Sequence, residues 1–179
     1  MAHIGSIGAG MFSAMAVNTT AIANISAAPT TEAGFKALFA TTPMFAPLRN
    51  VREFPAMGTP ANIVNVPVYG QKTTQQIQGQ ADAPSMELQL NYVASEWDPA
   101  TDLGGMVGDG KLYAFQFALL NAEPADLTAT LAGLGTVENS VFYFVGKLEA
   151  LLVTPSLTDA NTATVTITVQ SAFYGPFTN

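Results

Sequence analysis

Four carboxylates crowd a short stretch around the only tryptophan: Glu96, Asp98, Asp102 and Asp109 flank or follow Trp97. Two acids beside an aromatic platform could cleave or hold a sugar. One would donate a proton while the other stabilises the developing charge, and the ring would stack on the substrate. The same residues also have a plain structural reading. Asp98-Pro99 suits a helix start, with an N-cap acceptor followed by proline at the first helical position. Trp97 would anchor that helix on a sheet and the remaining acids would be solvated. This reading asks for less and is preferred.

Gly105-Met-Val-Gly-Asp-Gly110-Lys111 matches the first seven positions of a phosphate-binding G-x-x-x-x-G-K loop. The eighth is Leu112, where that loop needs a Ser or Thr hydroxyl for magnesium. The segment also precedes a strand instead of following one and opening a helix, so it reads as a glycine-rich connection. His3 is the only histidine and lies near the chain start. No Ser-His-Asp arrangement can be built around it. Asn18-Thr-Thr20 and Asn24-Ile-Ser26 match glycosylation sequons, which mean little without a secretion signal. No catalytic residue, cofactor-binding residue or metal ligand is assigned, and the expectation is a non-enzyme without cofactor.

Composition narrows the remaining classes. Charged residues make up 11% of the 179, against about 25% in an ordinary soluble domain, while hydrophobic residues reach 49% and the mean hydropathy is positive. A lone monomer with so few charges would expose much apolar area, which points to burial in an oligomer. Thirteen acidic and six basic residues leave a formal charge of −7. The basic residues (Lys36, Arg49, Arg52, Lys72, Lys111, Lys147) are scattered. Tight binding of nucleic acid needs clustered cations to displace counterions, so DNA could pass this protein without being gripped. Cysteine is absent, which removes disulfides and thiolate metal sites. The first basic residue is Lys36, so the positive region of a signal peptide is missing. Apolar runs fall far short of the roughly 20 residues of a membrane helix. Assembly in a cytoplasm, with no membrane partner, is the expectation.

Two regions are expected: an arm over 1–34 and a β domain over 35–179. Residues 1–30 are small and apolar, dotted with Ile4, Ile7, Met11, Phe12, Ile22 and Ile25. They read as an arm that packs onto a neighbouring subunit, and deleting them should spare the β fold. Phe35, Leu38 and Phe39 follow Thr31-Glu32 at helical spacing. Ile63–Tyr69 and the Thr/Gln-rich Lys72–Gln80 suit a hairpin, with Pro67 restricting the first strand to an edge. Lys111–Leu120 is expected to be a strand showing Tyr113, Phe115, Phe117 and Leu119 on one face. Residues 121–138 are ambiguous, since Leu127, Leu131 and Leu134 fit a helix that Gly133 and Gly135 weaken. Asn139–Val153 reads as a long strand bent at Gly146. The class is mainly β, a sandwich or half-barrel with one or two short helices.

The clearest signal is alternation. Met86, Leu88, Leu90 and Tyr92 point one way and Ser85, Glu87, Gln89 and Asn91 the other. Near the chain end Thr162, Thr164, Thr166, Thr168 and Gln170 alternate with Ala163, Val165, Ile167 and Val169. Each strand thus has one apolar face and one that is polar but almost uncharged. Such strands suit a sheet bent around a wet channel, with edge-to-edge joining of protomers closing a larger barrel.

The segment Gly79-Gln-Ala-Asp-Ala-Pro-Ser-Met-Glu-Leu-Gln-Leu-Asn-Tyr92 resembles the stretch before the helix in tail tube proteins (major tail proteins) of long-tailed, non-contractile bacteriophages. Asp109-Gly-Lys-Leu-Tyr-Ala-Phe115, Phe144-Val-Gly-Lys-Leu-Glu149 and the Thr-rich closing strand over 162–171 are similar too. The resemblance spans roughly residues 60–172 in matching order and is one of pattern, not of a sharp motif. It implies hexameric rings stacked into a hollow virion tail tube, lined by a continuous β-barrel with helices outside. It further implies a tape-measure protein and tail terminator and initiator proteins as partners, and delivery of DNA through the bore. Under it, Glu87, Gln89, Asn91, Thr162, Thr164, Thr166 and Thr168 are the lumen candidates, while the apolar residues of the arm are inter-subunit candidates. The alternatives are a tail-completion or baseplate hub protein of related fold, and a carbohydrate-binding β-sandwich centred on Trp97.

Overall fold

In the computed structural model the described residues are 12–40, 44–58, 63–67, 69–70, 75–78, 85–120, 123–132 and 140–178. The chain is mainly antiparallel β with short helices, as its alternation leads one to expect. Ten strands are formed among these residues: β1 (Ser13–Asn18), β2 (Phe45–Leu48), β3 (Val51–Glu53), β4 (Ile63–Val66), β5 (Gln75–Gln78), β6 (Ser85–Asn91), β7 (Tyr113–Leu119), β8 (Ser140–Thr154), β9 (Thr162–Val169) and β10 (Tyr174–Thr178). The helices are α1 (Glu32–Leu38), α2 (Asp102–Met106) and α3 (Leu127–Ala132).

One sheet runs β2-β1-β7-β8-β9-β6-β3, with β10 added to β8, and β4 and β5 form a separate ladder. The two ends of the main path, β2 and β3, are joined by Arg49 and Asn50 alone. A twisted sheet whose outermost strands are covalent neighbours has to curl until its edges meet. Its concave face holds one core, which collects Met15 and Val17 of β1, Leu48 of β2, Leu88 of β6, Phe115 of β7, Phe144 of β8 and Val165 of β9. Phe115 and Phe144 are register partners and stack with ring centroids 4.9 Å apart. The segment carrying Trp97, Leu103 and Met106 packs into the same core.

The convex face is covered over half its width. There Ala14, Ala16, Ala114 and Ala118 of β1 and β7 lie beneath Phe35 and Phe39 of α1 and its C-terminal end and Leu131 of α3. Phe35 stacks on Tyr143 at 5.1 Å. Small side chains on the strands let the aromatic rings approach the sheet closely, and Thr31 caps α1 by accepting from the Gly34 amide. Strand β7 is therefore buried on both faces, not on the Tyr113–Phe117 face alone.

Several expectations change. Within the range assigned to an arm, Ser13–Asn18 is an inner strand of the chain's own sheet, paired with β2 on one side and β7 on the other. Its alternating Ala and Met/Val side chains serve two cores at once, so deleting residues 1–30 would remove sheet, not a detachable tail. The long strand is real, but its irregularity falls between Leu148 and Ala150, not at Gly146. Gly146 is instead a place of close approach, where a Cβ would stand 2.8 Å from the Thr168 carbonyl oxygen. The hairpin over 63–80 is formed with shorter strands, pairing Ile63 with Gln78 and Val66 with Gln75. Helix α3 settles the ambiguous region over Leu127–Ala132, while 133–139, with Gly133, Leu134 and Gly135, lies outside the described residues.

Candidate functional site

The carboxylate cluster does not assemble into a site. Trp97 is buried, packed with Leu103 and Met106, so its ring offers no stacking platform and the sugar reading loses its central residue. Glu96 accepts from the Asn50 side-chain amide at 3.2 Å. Asp98 Oδ1 accepts from the Ala100 amide at 2.8 Å, a local turn ahead of the helix. The helix cap is Thr101, three positions beyond the expected Asp98: its Oγ1 accepts from the Gly104 amide. Asp98 instead contributes its backbone carbonyl, which receives the Thr101 hydroxyl at 2.7 Å.

The glycine-rich loop closes on itself. Asp109 accepts from the Lys111 amide at 2.9 Å and from the Tyr113 hydroxyl at 2.6 Å. The Lys111 ammonium lies 3.4 Å from the same carboxylate. The loop's lysine, through both its amide and its ammonium, is thus already engaged by the chain's own carboxylate. Burial alone would raise the Asp109 pKa, but the Tyr113 hydroxyl, the Lys111 amide and the Lys111 ammonium together hold it below the ordinary carboxylate value. Burial, followed by the hydrogen bond and charge of Asp109, pushes the Tyr113 phenol up. Both sequon asparagines are structural acceptors. Buried Asn18 donates to the Leu38 carbonyl at 2.7 Å and accepts from the Thr20 amide at 2.9 Å. Asn24 caps the turn over Ile25–Ala27. Among the described residues, no group of His, Cys, Asp or Glu side chains could hold a metal ion, and no helix is long and apolar enough to cross a membrane.

The polar alternation, in contrast, becomes one surface. Strands β6 and β9 pair over their whole length: Ser85 faces Thr168, Glu87 faces Thr166, Gln89 faces Thr164 and Asn91 faces Thr162. Between them Met86 faces Ile167, Leu88 faces Val165 and Leu90 faces Ala163, and these six are buried in the concave core. Fully burying each larger aliphatic contributes about 1.5–3 kcal/mol, which fixes the register, since a one-residue slip would turn every side chain over. All seven lumen candidates therefore share the convex face, where Glu87 and Gln89 are exposed and Asn91 and the four threonines half-buried. Lys147, opposite Thr168 on β8, continues the row. The covering core formed by α1 and α3 does not reach β6 or β9. Among the described residues the β6–β9 part of this face is left bare in the single chain, built of hydroxyls and amides with Glu87 as its carboxylate; on β8 its rows run on into Lys147, Ala150 and the exposed Leu152.

Of the arm candidates, Phe12 and Ile22 are half-buried and Ile25 is exposed. Ile22 bridges to Leu112 through its amide at 2.7 Å. Ile4, Ile7 and Met11 lie outside the described residues. Two further polar groups meet inside the sheet: Gln116 and Tyr143, register partners across β7 and β8. Gln116 Oε1 and the Tyr143 hydroxyl are both buried without a hydrogen-bond partner among the described residues. Burial pushes the Tyr143 phenol up to about 12, with the nearby Gln116 amide opposing the shift. Their only sequence signal is a glutamine in an aromatic strand.

No family model matches this chain, and no curated protein does. Among solved structures, a chain of the anti-feeding prophage baseplate, determined by cryo-electron microscopy with six-fold symmetry applied, aligns over 91% of both chains with a TM-score of 0.49 and 8% identity.

Proposed function

We propose that this protein is a non-enzymatic structural subunit of a phage-like tail, and within that class a tail tube subunit that forms stacked hexameric rings. The observation that carries the reading is the bare wall of β6 and β9. One face of that ribbon is sealed into the core, and among the described residues the other is left uncovered, while helices cover the β2-β1-β7-β8 half of the sheet. A solvated face is ordinary on an antiparallel sheet, but this one is almost uncharged, neither apolar enough for a protein interface core nor cationic enough to grip phosphates. It suits the lining of a water-filled bore, with Thr, Gln and Asn side chains keeping water against the wall and Glu87 discouraging a polyanion from adhering. Sheet edges would close between copies, which removes the hazard of unpaired strands.

The chain would then be delivered to the virion tail after assembly in the host cytoplasm, with a tape-measure protein inside the growing tube and terminator and initiator proteins at its ends. Electron microscopy of the purified full chain tests this directly: rings or tubes with a hydrated bore are expected. A monomer that stays single at high concentration under every assembly condition would overturn it. A tail-completion or baseplate role in the same structural class differs in stoichiometry. A tube subunit should be among the most abundant proteins of its particle, whereas a hub protein would be present in a few copies.

A further inference from the structure

The β8–β9 hairpin ends in a turn that presents Leu157 to the outside. Leu157 is 101% exposed, and just before the turn Leu152 and Val153, on opposite faces of the end of β8, are 63% and 44% exposed. The turn is nevertheless braced. The Ser156 amide donates to Asn161 Oδ1 at 3.0 Å, the Asp159 amide donates to Ser156 Oγ at 3.0 Å, and the Tyr92 amide donates to the Asn161 carbonyl at 2.8 Å. A leucine held out on a fixed turn has already lost the freedom that binding would otherwise remove. Asp159 stands two positions on, and its Oδ1 engages only the neighbouring Ala160 amide.

A groove of about 630 Å³ lies at the opposite end of the same ribbon. Ile22, Ile25 and Leu112 give it apolar walls, and Lys111, Lys147 and Gln170 stand around it. Two of the six basic residues of the chain thus meet at one place. Lys111 is shared with Asp109, and Lys147 forms no ion pair among the described residues. From Lys147 to Thr154 the strand runs roughly 23 Å at about 3.3 Å per residue. The chain therefore cannot fill its own groove with its own turn.

We infer that the Leu157–Asp159 turn of one copy seats in the Lys111/Lys147 groove of the next, with Leu157 against Ile22, Ile25 and Leu112 and the Asp159 carboxylate between the two ammonium groups. The inference rests on the assembly reading above and adds which surfaces meet. Unlike surfaces at opposite ends of one element make a head-to-tail contact, which propagates instead of closing as a dimer. It joins copies along the strand direction, whereas pairing of sheet edges joins them sideways.

The natural absence of cysteine permits a clean test. The full chain carrying both Ile25→Cys and Leu157→Cys, oxidised at assembly concentration, should give a ladder of covalent multimers on a denaturing gel, while either single variant gives at most a dimer. Lys147→Glu in that background should abolish the ladder, and adding Asp159→Lys should bring it back. Tubes by microscopy without a ladder would overturn the contact and leave the tube reading standing. A ladder without tubes would uphold the contact and remove the tube. A ladder insensitive to the charge exchange would overturn the Lys147–Asp159 pairing, and cross-linking of Leu157→Cys to a different protein in native particles would overturn a second copy as the occupant.

Discussion

Leu48 closes β2 and Val51 opens β3, so residues one tight turn apart stand at opposite ends of a seven-strand path. The sheet is curled because its chain leaves it no flat solution. Everything placed on its convex face, the bare wall included, follows from that turn. Asn50 makes the turn with a positive φ of 59°. Its carbonyl accepts from the Asn91 amide at 2.9 Å, which ties the turn to the end of β6.

Asn50→Ala is accordingly expected to destabilise the fold by about 1–2 kcal/mol, the cost of a left-handed backbone for a residue with an ordinary Cβ. The lost hydrogen bond to Glu96 adds to that. Asn50→Gly should recover the backbone part, because glycine adopts this conformation freely. Urea unfolding of the three proteins measures the difference, and an Ala variant as stable as the parent would show that the turn does not set the curl.

Removal of residues 1–18 should abolish cooperative folding. Five of the six residues of β1 are buried, and the strand supplies the ladder on which β2 and β7 both depend. Without it two buried edges lose their hydrogen bonds, and each unpaired buried polar group costs on the order of 1–3 kcal/mol. Far-ultraviolet circular dichroism and a thermal melt decide the matter. A truncated protein that melts sharply at the parental temperature would return these residues to the role of a detachable arm.

Tyr143→Phe should leave stability at pH 7 unchanged or slightly raised, since the hydroxyl is buried without a partner among the described residues and its removal leaves no cavity of consequence. The sign at high pH is fixed by the raised phenol. The folded-state value of about 12 lies above the usual value of roughly 10. The neutral tyrosine therefore contributes its full stability below pH 10, and that contribution is lost as pH rises towards 12. The Phe variant should show a shallower loss of stability over that window. Identical alkaline unfolding curves would place Tyr143 in contact with water.

How far the sequence could be read depended on which faces met water. β6 and β9 each have one wet face, so polar and apolar residues alternate, and pairs such as Leu88 with Val165 and Gln89 with Thr164 follow in register. β1 has no wet face. Ala14 and Ala16 serve the core under α1 while Met15 and Val17 serve the other, and small beside apolar reads as low complexity. β10 was hidden for another reason: Pro176 interrupts it, and its pairing with β8 shifts between Tyr174 and Phe177. The wall was legible residue by residue, but its exposure depends on where α1 and α3 stop, a tertiary fact that no local spacing carries.

The wall itself gives the last prediction. Glu87 and Thr166 face each other across β6 and β9 on the bare side, so Glu87→Lys with Thr166→Lys sets two cations side by side without touching the buried face. Like charges directly opposite destabilise a strand pair by a few tenths to about 1 kcal/mol, which a sheet anchored by Leu88 and Val165 should tolerate, so rings and tubes should form in parental numbers. If the wall lines a bore, every subunit would then present ammonium groups to passing phosphates. DNA should leave the particle more slowly, and raised salt should restore the rate, because each phosphate contact steepens the salt dependence of binding by close to one unit in log–log slope. Fluorescence-monitored DNA release at two ionic strengths makes the comparison. Normal release in the double variant would take these residues off the bore, and assembly failing while the monomer stays folded would make the wall an interface between subunits.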